Sequence, residues 1–204
     1  MPLEGRKLGY RYNGGSWIVR DFDIIVNPGE IIGLSGPSGC GKTTIGRMLA
    51  GYYAPCEGAV RVAGKPLPRK GYSPVQLVFQ HPEKAVNPQL RMRRILNEGW
   101  STDASFRAMM GIADAWLDRY PSELSGGELQ RFCVARALGP QTRYLIADEM
   151  TTMLDAITQA QIWHAIMNIV RERQLGMLIV SHERSLLERL CDKVIGLDAA
   201  ASPQ

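Results

Sequence analysis

The sequence predicts an α/β fold whose core is a mainly parallel sheet, with an N-terminal antiparallel β subdomain and a helical insertion. Three observations support this prediction. Short apolar runs, such as residues 31–34 and 177–180, are each followed by a segment with helical spacing. Residues 7–26 read as two strands around a glycine-rich turn, and residues 89–119 place apolar side chains three and four positions apart. We expect a single domain, residues 1–204, with a helical subdomain at about 83–140 inserted in the core.

A glycine-rich stretch follows the apolar run at residues 31–34. It consists of Gly36, Pro37, Ser38, Gly39, Cys40, Gly41, Lys42, Thr43 and Thr44. It fits the pattern G-x-x-x-x-G-K-[ST], in which backbone N–H groups face an anion, the lysine reaches the β- and γ-phosphates, and the threonine hydroxyl binds Mg²⁺. The helix behind it adds its positive end and is expected to close at Gly51. A glycine-rich turn without a ligand is the alternative, and the strand-loop-helix context favours the core of a P-loop NTPase.

Composition narrows the possible functions. The net charge of +4 is mild, and the basic residues are scattered apart from a short cluster at 91–94, so a nucleic-acid partner is not expected. No apolar run approaches the roughly 18 residues of a membrane span, and the N-terminus lacks a signal pattern. The four cysteines show no metal-binding spacing and read as unpaired thiols of a reducing compartment. We therefore expect a cytoplasmic protein whose membrane role, if any, needs a partner.

Polar side chains follow three of the predicted strands. Gln80 ends the strand at 76–80, Asp148 and Glu149 end the strand at 145–149, and His182 follows the strand at 177–181. In a P-loop protein the first acid helps to hold Mg²⁺ and the second orients or deprotonates a water, whereas elsewhere paired acids form only a polar turn. A lone histidine is most often structural. Because ligands of open parallel sheets gather at the carboxyl ends of strands, we expect these side chains to meet.

Two further features have both a structural and a functional interpretation. Ser125, Gly126 and Gly127 open a helical run and place bare backbone N–H groups at its start, which suits an anion, although a serine-capped helix is the simpler alternative. Tyr12 lies on a predicted strand before the phosphate loop. Its ring could stack on an adenine, and taken alone a half-buried strand tyrosine is the preferred interpretation.

The remaining segments give a strand at 58–62, a loop at 65–68, and a helix at 158–173 that stops at Gly176. A helix at 185–191 and a short strand at 193–197 follow. The tail from 199 to 204 is expected to fray.

Taken together, these residues resemble an ATP-binding cassette (ABC) ATPase over nearly the whole chain. The resemblance rests on the P-loop, Gln80 as the Q-loop, residues 124–128 as the signature motif, residues 145–149 as Walker B, Asp155 in the D-loop, and His182 as the switch histidine. All follow the family's order. The sequence LSGGE at 124–128 is close to diagnostic.

A narrower likeness is to the peptide/nickel importer branch. It rests on the sequence VFQHP at 78–82, Asn-Pro at 87–88, and QAQI at 159–162. Residues 149–155 depart from the branch pattern, because they read EMTTMLD where the branch usually has Glu-Pro-x-Ser-Ala-Leu-Asp. The chain also ends soon after Leu197, so regulation through the C-terminal extension of many members is not expected here.

The resemblance implies a role for each motif. Two cassettes would meet head to tail, so that each ATP lies between the P-loop of one and the signature of the other. Tyr12 would stack on adenine, and Lys42 and the loop amides would hold the phosphates. The Mg²⁺ ligands would be Thr43, Gln80 and Asp148. Glu149 would polarise the attacking water, and His182 would contact the γ-phosphate. Ser125, Gly126 and Gly127 would close on the partner's ATP, and Asp155 would tie the two sites together.

The same resemblance implies partners. These are a second ABC ATPase subunit, identical or paralogous, two integral membrane permease subunits, and indirectly a solute-binding protein. Gln80 and the insertion at 83–123 would contact a permease helix at the cytoplasmic face of the membrane. Alternatives are a soluble ABC ATPase acting on DNA or ribosomes, which usually has a long coiled coil or a second cassette, and a non-hydrolysing subunit, which intact Lys42, Asp148, Glu149 and His182 argue against.

Overall fold

A computed structural model describes residues 1–197, so the predicted fraying tail at 199–204 lies outside the described residues. Two sheets organise the chain. A five-stranded parallel sheet has the order β6-β7-β8-β3-β9, and a four-stranded antiparallel sheet has the order β2-β1-β4-β5. The strands are β1 Leu3–Tyr10, β2 Val19–Val26, β3 Ile31–Ser35, β4 Glu57–Val62, β5 Lys65–Pro66, β6 Val75–Val78, β7 Tyr144–Asp148, β8 Gly176–Val180 and β9 Lys193–Gly196.

Within residues 1–197, six α-helices connect and cover these strands. They are α1 Lys42–Leu49, α2 Met92–Leu96, α3 Ala104–Met109, α4 Gly126–Ala137, α5 Ala156–Glu172 and α6 Arg184–Leu190. Helix α1 lies between the two sheets, whereas α4 and α5 pack on the opposite face of the parallel sheet. Helices α2 and α3 belong to the insertion between β6 and β7. The predicted α/β class, with its antiparallel subdomain and helical insertion, is confirmed.

The parallel sheet is buried on both faces, which explains its uninterrupted apolar strands. Successive residues of a strand point to opposite faces. Accordingly, Ile146 of β7 packs in the cluster that contains α1, and Leu145 packs in the cluster that contains α4 and α5. Strand β8 divides in the same way. The carboxyl ends of β6, β7, β8 and β3 therefore reach one edge of the sheet in register, where β7 pairs Asp148 with Val180 of β8.

Residues 89–119 form the expected helical insertion, but only part of the segment is helical. The segment divides into α2, α3 and a 3₁₀ turn at Asp114–Trp116. Asp103 caps the start of α3, because its carboxylate accepts a hydrogen bond of 2.7 Å from Phe106 N. Gly111, with φ +66°, follows the end of α3. Apolar spacing identified the buried side chains but not these local stop signals.

Three smaller expectations also need correction. Strand β1 ends at Tyr10, so Tyr12 lies in the loop before β2 rather than on a strand. Residues 65–68 were expected to form a loop, but Lys65–Pro66 pairs with β4 as a two-residue edge strand. Helix α5 ends through the left-handed Gln174, with φ +53°, and not at Gly176, which opens β8. A side chain at Gly176 would lie 2.5 Å from the Tyr144 ring, which explains the glycine there.

No helix within residues 1–197 is long and apolar enough to cross a membrane.

Candidate functional site

The phosphate loop connects β3 to α1 and depends on two close backbone approaches. Gly36, with φ +155°, would place a Cβ atom 2.5 Å from the Leu197 carbonyl, and Gly41, with φ +98°, would place one 2.7 Å from Val19 Cγ2. Larger residues would therefore push the loop away from its neighbours. Gly39, in contrast, has no atom within 4 Å of its Cβ position. The loop is thus held on one side and open on the other, as a phosphate cradle requires.

Lys42, the first residue of α1, is almost completely buried. Its ammonium group donates hydrogen bonds of 2.8 Å to the carbonyl oxygens of Gly36 and Pro37. The Cys40 thiol lies 3.8 Å from the same nitrogen. Among the described residues this buried ammonium forms no ion pair, so an anion bound in the loop would meet a preorganised positive charge.

Thr43 and Asp148 form the centre of the predicted metal site. The Thr43 hydroxyl donates a hydrogen bond of 2.9 Å to Asp148 Oδ1. Burial raises the pKa of Asp148 above its ordinary value, and the Thr43 bond and the charge of Arg47 oppose that shift. Hydroxyl, carboxylate and amide oxygens are hard ligands that suit Mg²⁺, and a divalent cation would offset the cost of the buried carboxylate. The residues present therefore fit the ion.

Glu149 lies between the two other strand-end side chains. Its Oε2 accepts a hydrogen bond of 3.4 Å from Gln80 Nε2, and its Oε1 lies 3.3 Å from His182 Nδ1. The backbone of Glu149 is left-handed, with φ +46°, which costs about 1 kcal/mol for a non-glycine residue. The Glu149 N–H to Val180 O bond of 3.0 Å helps to hold this conformation. Strain of this kind concentrates at functional sites, and here it directs the carboxylate into the strand-end cluster.

The Ser-Gly-Gly segment begins α4 through a capping box. Ser125 Oγ accepts from Glu128 N at 3.3 Å, and Glu128 Oε2 accepts from Ser125 N at 2.7 Å. The two glycines differ. A Cβ at Gly127 would lie 2.7 Å from Thr158 Cγ2, whereas a Cβ at Gly126 meets nothing within 4 Å. The bare backbone of Gly126 therefore faces open space, next to a cavity of about 330 Å³ between the start of α4 and residues 153–155.

Asp155 begins α5 as its N-cap. Its carboxylate accepts hydrogen bonds from the backbone N–H groups of Ile157, at 3.1 Å, and Thr158, at 3.0 Å. Hydrogen bonding at Thr158 holds the pKa of Asp155 below its ordinary value. The adjacent Met153 and Ile157 side chains are 71% and 72% exposed. Asp155 thus sets the helix start while the apolar residues beside it face outward.

Tyr12 lies in the loop that packs on the phosphate loop through Ile18 and Val19. Its side chain is 51% exposed, and its hydroxyl donates a hydrogen bond of 3.3 Å to the Tyr53 hydroxyl. The ring meets those of Tyr10 and Tyr53 edge to face. Half of the Tyr12 side chain is therefore exposed and available for stacking on a base.

A second open surface lies between the core and the helical insertion. It is a groove of about 750 Å³ bounded by the end of α1, strand β6 and helix α4. Aromatic side chains contribute to its wall, since Tyr52 and Phe79 meet edge to face with ring centroids 5.2 Å apart. Lys84, Glu98 and Arg136 also line it. We call this surface the interdomain groove.

The four cysteines are free thiols. Burial raises the pKa of Cys133 to about 11 and that of Cys191 to about 12. Cys40 is half-buried within the phosphate loop and Cys56 is exposed.

Three residues that support the site were not identified from the sequence, namely Arg47, Tyr53 and Thr151. Arg47 donates to the Tyr53 hydroxyl at 2.8 Å and its charge reaches Asp148. Thr151 is buried, and its hydroxyl accepts from Gln159 and from the Trp163 indole at 3.1 Å each. The position of Arg47, four residues after Thr43 on one helix face, was an available signal. Nothing local in the sequence indicated the contacts of Tyr53 or Thr151.

Comparison with known proteins agrees with this geometry. Residues 19–152 match the family model described as "ABC transporter". The nickel import ATP-binding protein NikE of Rhodospirillum rubrum is 35% identical over 202 residues, covering 89% of this chain and 72% of the relative. NikE of Escherichia coli strain K12 is 33% identical over 200 residues, covering 89% and 75%.

Solved structures show the same fold. The dimeric bacterial ABC transporter cassette MJ0796 superposes with a TM-score of 0.81 at 20% identity, covering 99% of this chain and 97% of that chain. A post-hydrolysis form of that cassette, bound to ADP and phosphate, gives the same TM-score. The predicted family and branch are confirmed. With a family match across the P-loop and Walker B and relatives above 30% identity, this chain belongs to the ABC transporter family, as an ATP-binding subunit of the nickel/peptide importer branch.

Proposed function

We propose that this chain hydrolyses ATP to drive import of a small solute, which is a peptide, nickel or a metal chelate. The observation that carries the proposal is the position of Glu149 between Gln80 and His182, beside the Thr43–Asp148 pair. This cluster has a carboxylate to orient water, a polar contact for the terminal phosphate and a hard-ligand pair for Mg²⁺. Phosphoryl transfer needs this positioning and charge neutralisation more than covalent chemistry.

Each residue of the cluster has a defined task. Lys42 would turn from the loop carbonyls to the phosphates, while Thr43, Asp148 and Gln80 would hold Mg²⁺, which would supply neutralising charge to the phosphates. Glu149 accepts a hydrogen bond from the attacking water and holds it in line. His182 contacts the Glu149 carboxylate in this structure. With nucleotide bound, it would contact the γ-phosphate. Its exchange between these two partners would link the hydrolytic carboxylate to the nucleotide state.

The site is half of a complete one. Within residues 1–197, the cavity beside Ser125, Gly126 and Gly127 includes no side chain of the phosphate loop. The open backbone of Gly126 suits the phosphates of a nucleotide held by another cassette. The partner is a second ABC ATPase subunit, identical or paralogous. Exposed Met153 and Ile157 lie on the same side and would be buried when the two subunits close.

The interdomain groove is the surface for a permease. It is concave, partly aromatic and bordered by Lys84, Glu98 and Arg136, which suits a short amphipathic helix with a polar edge. Gln80 follows β6, which forms one wall, so movement of a bound helix would reach the Glu149 cluster directly. Two such permease subunits would place this chain at the cytoplasmic face of the membrane.

The cargo is selected elsewhere. The relatives are named for nickel import, and nickel is therefore the first solute to test. No group of three or more metal-binding side chains occurs in the described part of the chain, and a permease with its solute-binding protein would choose the solute.

The proposal is tested by purifying the intact complex from detergent-solubilised membranes through a tag on this chain. We expect two permease subunits and a second cassette to copurify, and ATP-dependent uptake of nickel or a peptide after reconstitution. Tyr52→Glu in the interdomain groove should abolish capture of the permease and leave nucleotide binding intact. Val194→Glu, at an exposed apolar residue outside both the groove and the insertion, is the control. Capture of ribosomal or DNA-repair components without a permease would refute the importer role.

A further inference from the structure

Three tyrosines and an arginine form a connected cluster behind the predicted adenine position. Tyr53 follows the end of α1, and its ring stacks on that of Tyr10 with centroids 5.0 Å apart and an interplanar angle of 8°. Its hydroxyl accepts hydrogen bonds from Arg47 Nη1, at 2.8 Å, and from the Tyr12 hydroxyl, at 3.3 Å. Tyr12 is thereby joined to α1, the helix that begins with Lys42.

These bonds shift the pKa values of the two phenols in opposite directions. The hydrogen bonds from Tyr12 and Arg47 lower the pKa of Tyr53, and the bond to Tyr53 raises the pKa of Tyr12. Arg47 is itself fixed. Its guanidinium carbon lies 5.5 Å from the centre of the Tyr53 ring, and its Nε is buried without a hydrogen-bond partner among the described residues. The Tyr53 hydroxyl is therefore the hydrogen-bond acceptor of a half-buried cation.

Arg47 also faces the metal side of the site. It lies one helical turn beyond Thr43, whose hydroxyl bonds Asp148, and its charge opposes the burial that raises the pKa of Asp148. One side chain of α1 thus contacts the tyrosine cluster, and it links the Tyr12 loop to α1 through Tyr53.

We propose that Tyr53, anchored by Arg47, is a positioning residue for the nucleobase: it fixes the orientation of the Tyr12 ring before nucleotide binds. The inference rests on the proposed role of Tyr12 as the adenine platform. Tyr12 is half exposed in a loop, so without the bond to Tyr53 its ring would have rotational freedom that stacking must remove. A ring that is already fixed binds a base at lower entropic cost.

The test compares Mg²⁺-ADP with Mg²⁺-pyrophosphate by calorimetry, because pyrophosphate carries the phosphates without the base. Tyr53→Phe removes the acceptor oxygen and keeps the stacked ring. The variant loses the bonds from Arg47 and from Tyr12, and the loss of the Tyr12 bond should weaken ADP binding by about threefold to tenfold and leave pyrophosphate affinity unchanged. Tyr12→Phe should cause a similar loss, and the double variant should lose little more, because both remove the same bond.

Other outcomes distinguish the positioning role of Tyr53 from the adenine-stacking role of Tyr12. An equal loss of ADP and pyrophosphate affinity in Tyr53→Phe would overturn the inference, since it would indicate general damage around Arg47. Additive losses in the double variant would also overturn it. Tyr12→Leu tests the platform: if ADP affinity does not change, the adenine role of Tyr12 fails. If Tyr12→Leu weakens ADP binding and Tyr53→Phe does not, only the positioning role fails.

Discussion

Thr43 donates a hydrogen bond to Asp148, and both residues are proposed Mg²⁺ ligands, so replacing Thr43 tests a stability effect and a metal effect separately. Thr43→Val keeps the shape and removes the hydroxyl, which leaves the buried Asp148 carboxylate without its 2.9 Å donor. A hydrogen bond to a charged group contributes about 1.5–3 kcal/mol, and the partial exposure of Thr43 favours the lower half of that range. At about 2–4 °C per kcal/mol for a chain of this size, melting should fall by about 3–8 °C.

The loss of melting temperature in Thr43→Val should depend on pH in one direction. Burial raises the pKa of Asp148, and the Thr43 bond opposes the shift by favouring the charged form. The bond is therefore strongest above that raised pKa, where Asp148 is ionised. The difference in melting temperature between wild type and Thr43→Val should shrink as the pH falls through it.

Differential scanning fluorimetry of the nucleotide-free protein, with Thr43→Ser as the control that keeps the hydroxyl, measures this directly. Calorimetry should also show that Mg²⁺ no longer strengthens ATP binding to Thr43→Val. A melting difference that grows at low pH, or a Thr43→Val protein with normal Mg²⁺ dependence, would refute the reasoning.

Three further outcomes are expected. Lys42→Ala should weaken ATP binding at least tenfold by calorimetry, since it removes a buried ammonium, and unchanged affinity would take Lys42 out of the site. In a Cys56→Ser background, Mg²⁺-ATP should slow alkylation of Cys40, followed by mass spectrometry; equal rates with and without nucleotide would mean that phosphates do not cover the loop. Gly127→Ala should lower the melting temperature because its Cβ meets Thr158, whereas Gly126→Ala should melt normally and lose ATPase activity in the assembled complex. A lower melting temperature for Gly126→Ala than for Gly127→Ala would contradict the assigned orientation of the two glycines.

Much of the fold could be predicted because the strongest sequence signals coincide with the strongest physical constraints. The buried parallel strands are short apolar runs, and β7 and β8 lie within one or two residues of their predicted bounds. Gln80, Glu149 and His182 could be expected to meet because each follows a strand of the same parallel sheet. The family resemblance added the head-to-tail half-site, which a single chain cannot reveal by pattern alone.

The errors arose where apolar spacing conflicts with local hydrogen bonding. Asp103 starts α3 as its N-cap, a role that competes with a helix running through this position. Tyr12 lies beyond its strand because Gly14, with φ +75°, helps form the following turn. The links from Tyr53 to Arg47 and Tyr12 join residues up to 41 positions apart. Such contacts depend on tertiary packing, and no local pattern contains them.

The most direct test of the account replaces the carboxylate that is assigned to the attacking water. Glu149→Gln keeps the size of the side chain and its capacity to accept from Gln80, but removes the charge beside His182. ATP hydrolysis and retained ATP should be measured in the assembled complex purified through this chain. We expect hydrolysis to fall by at least about a hundredfold while ATP stays bound in a closed pair of cassettes. Hydrolysis at the parental rate would contradict the assigned role of Glu149.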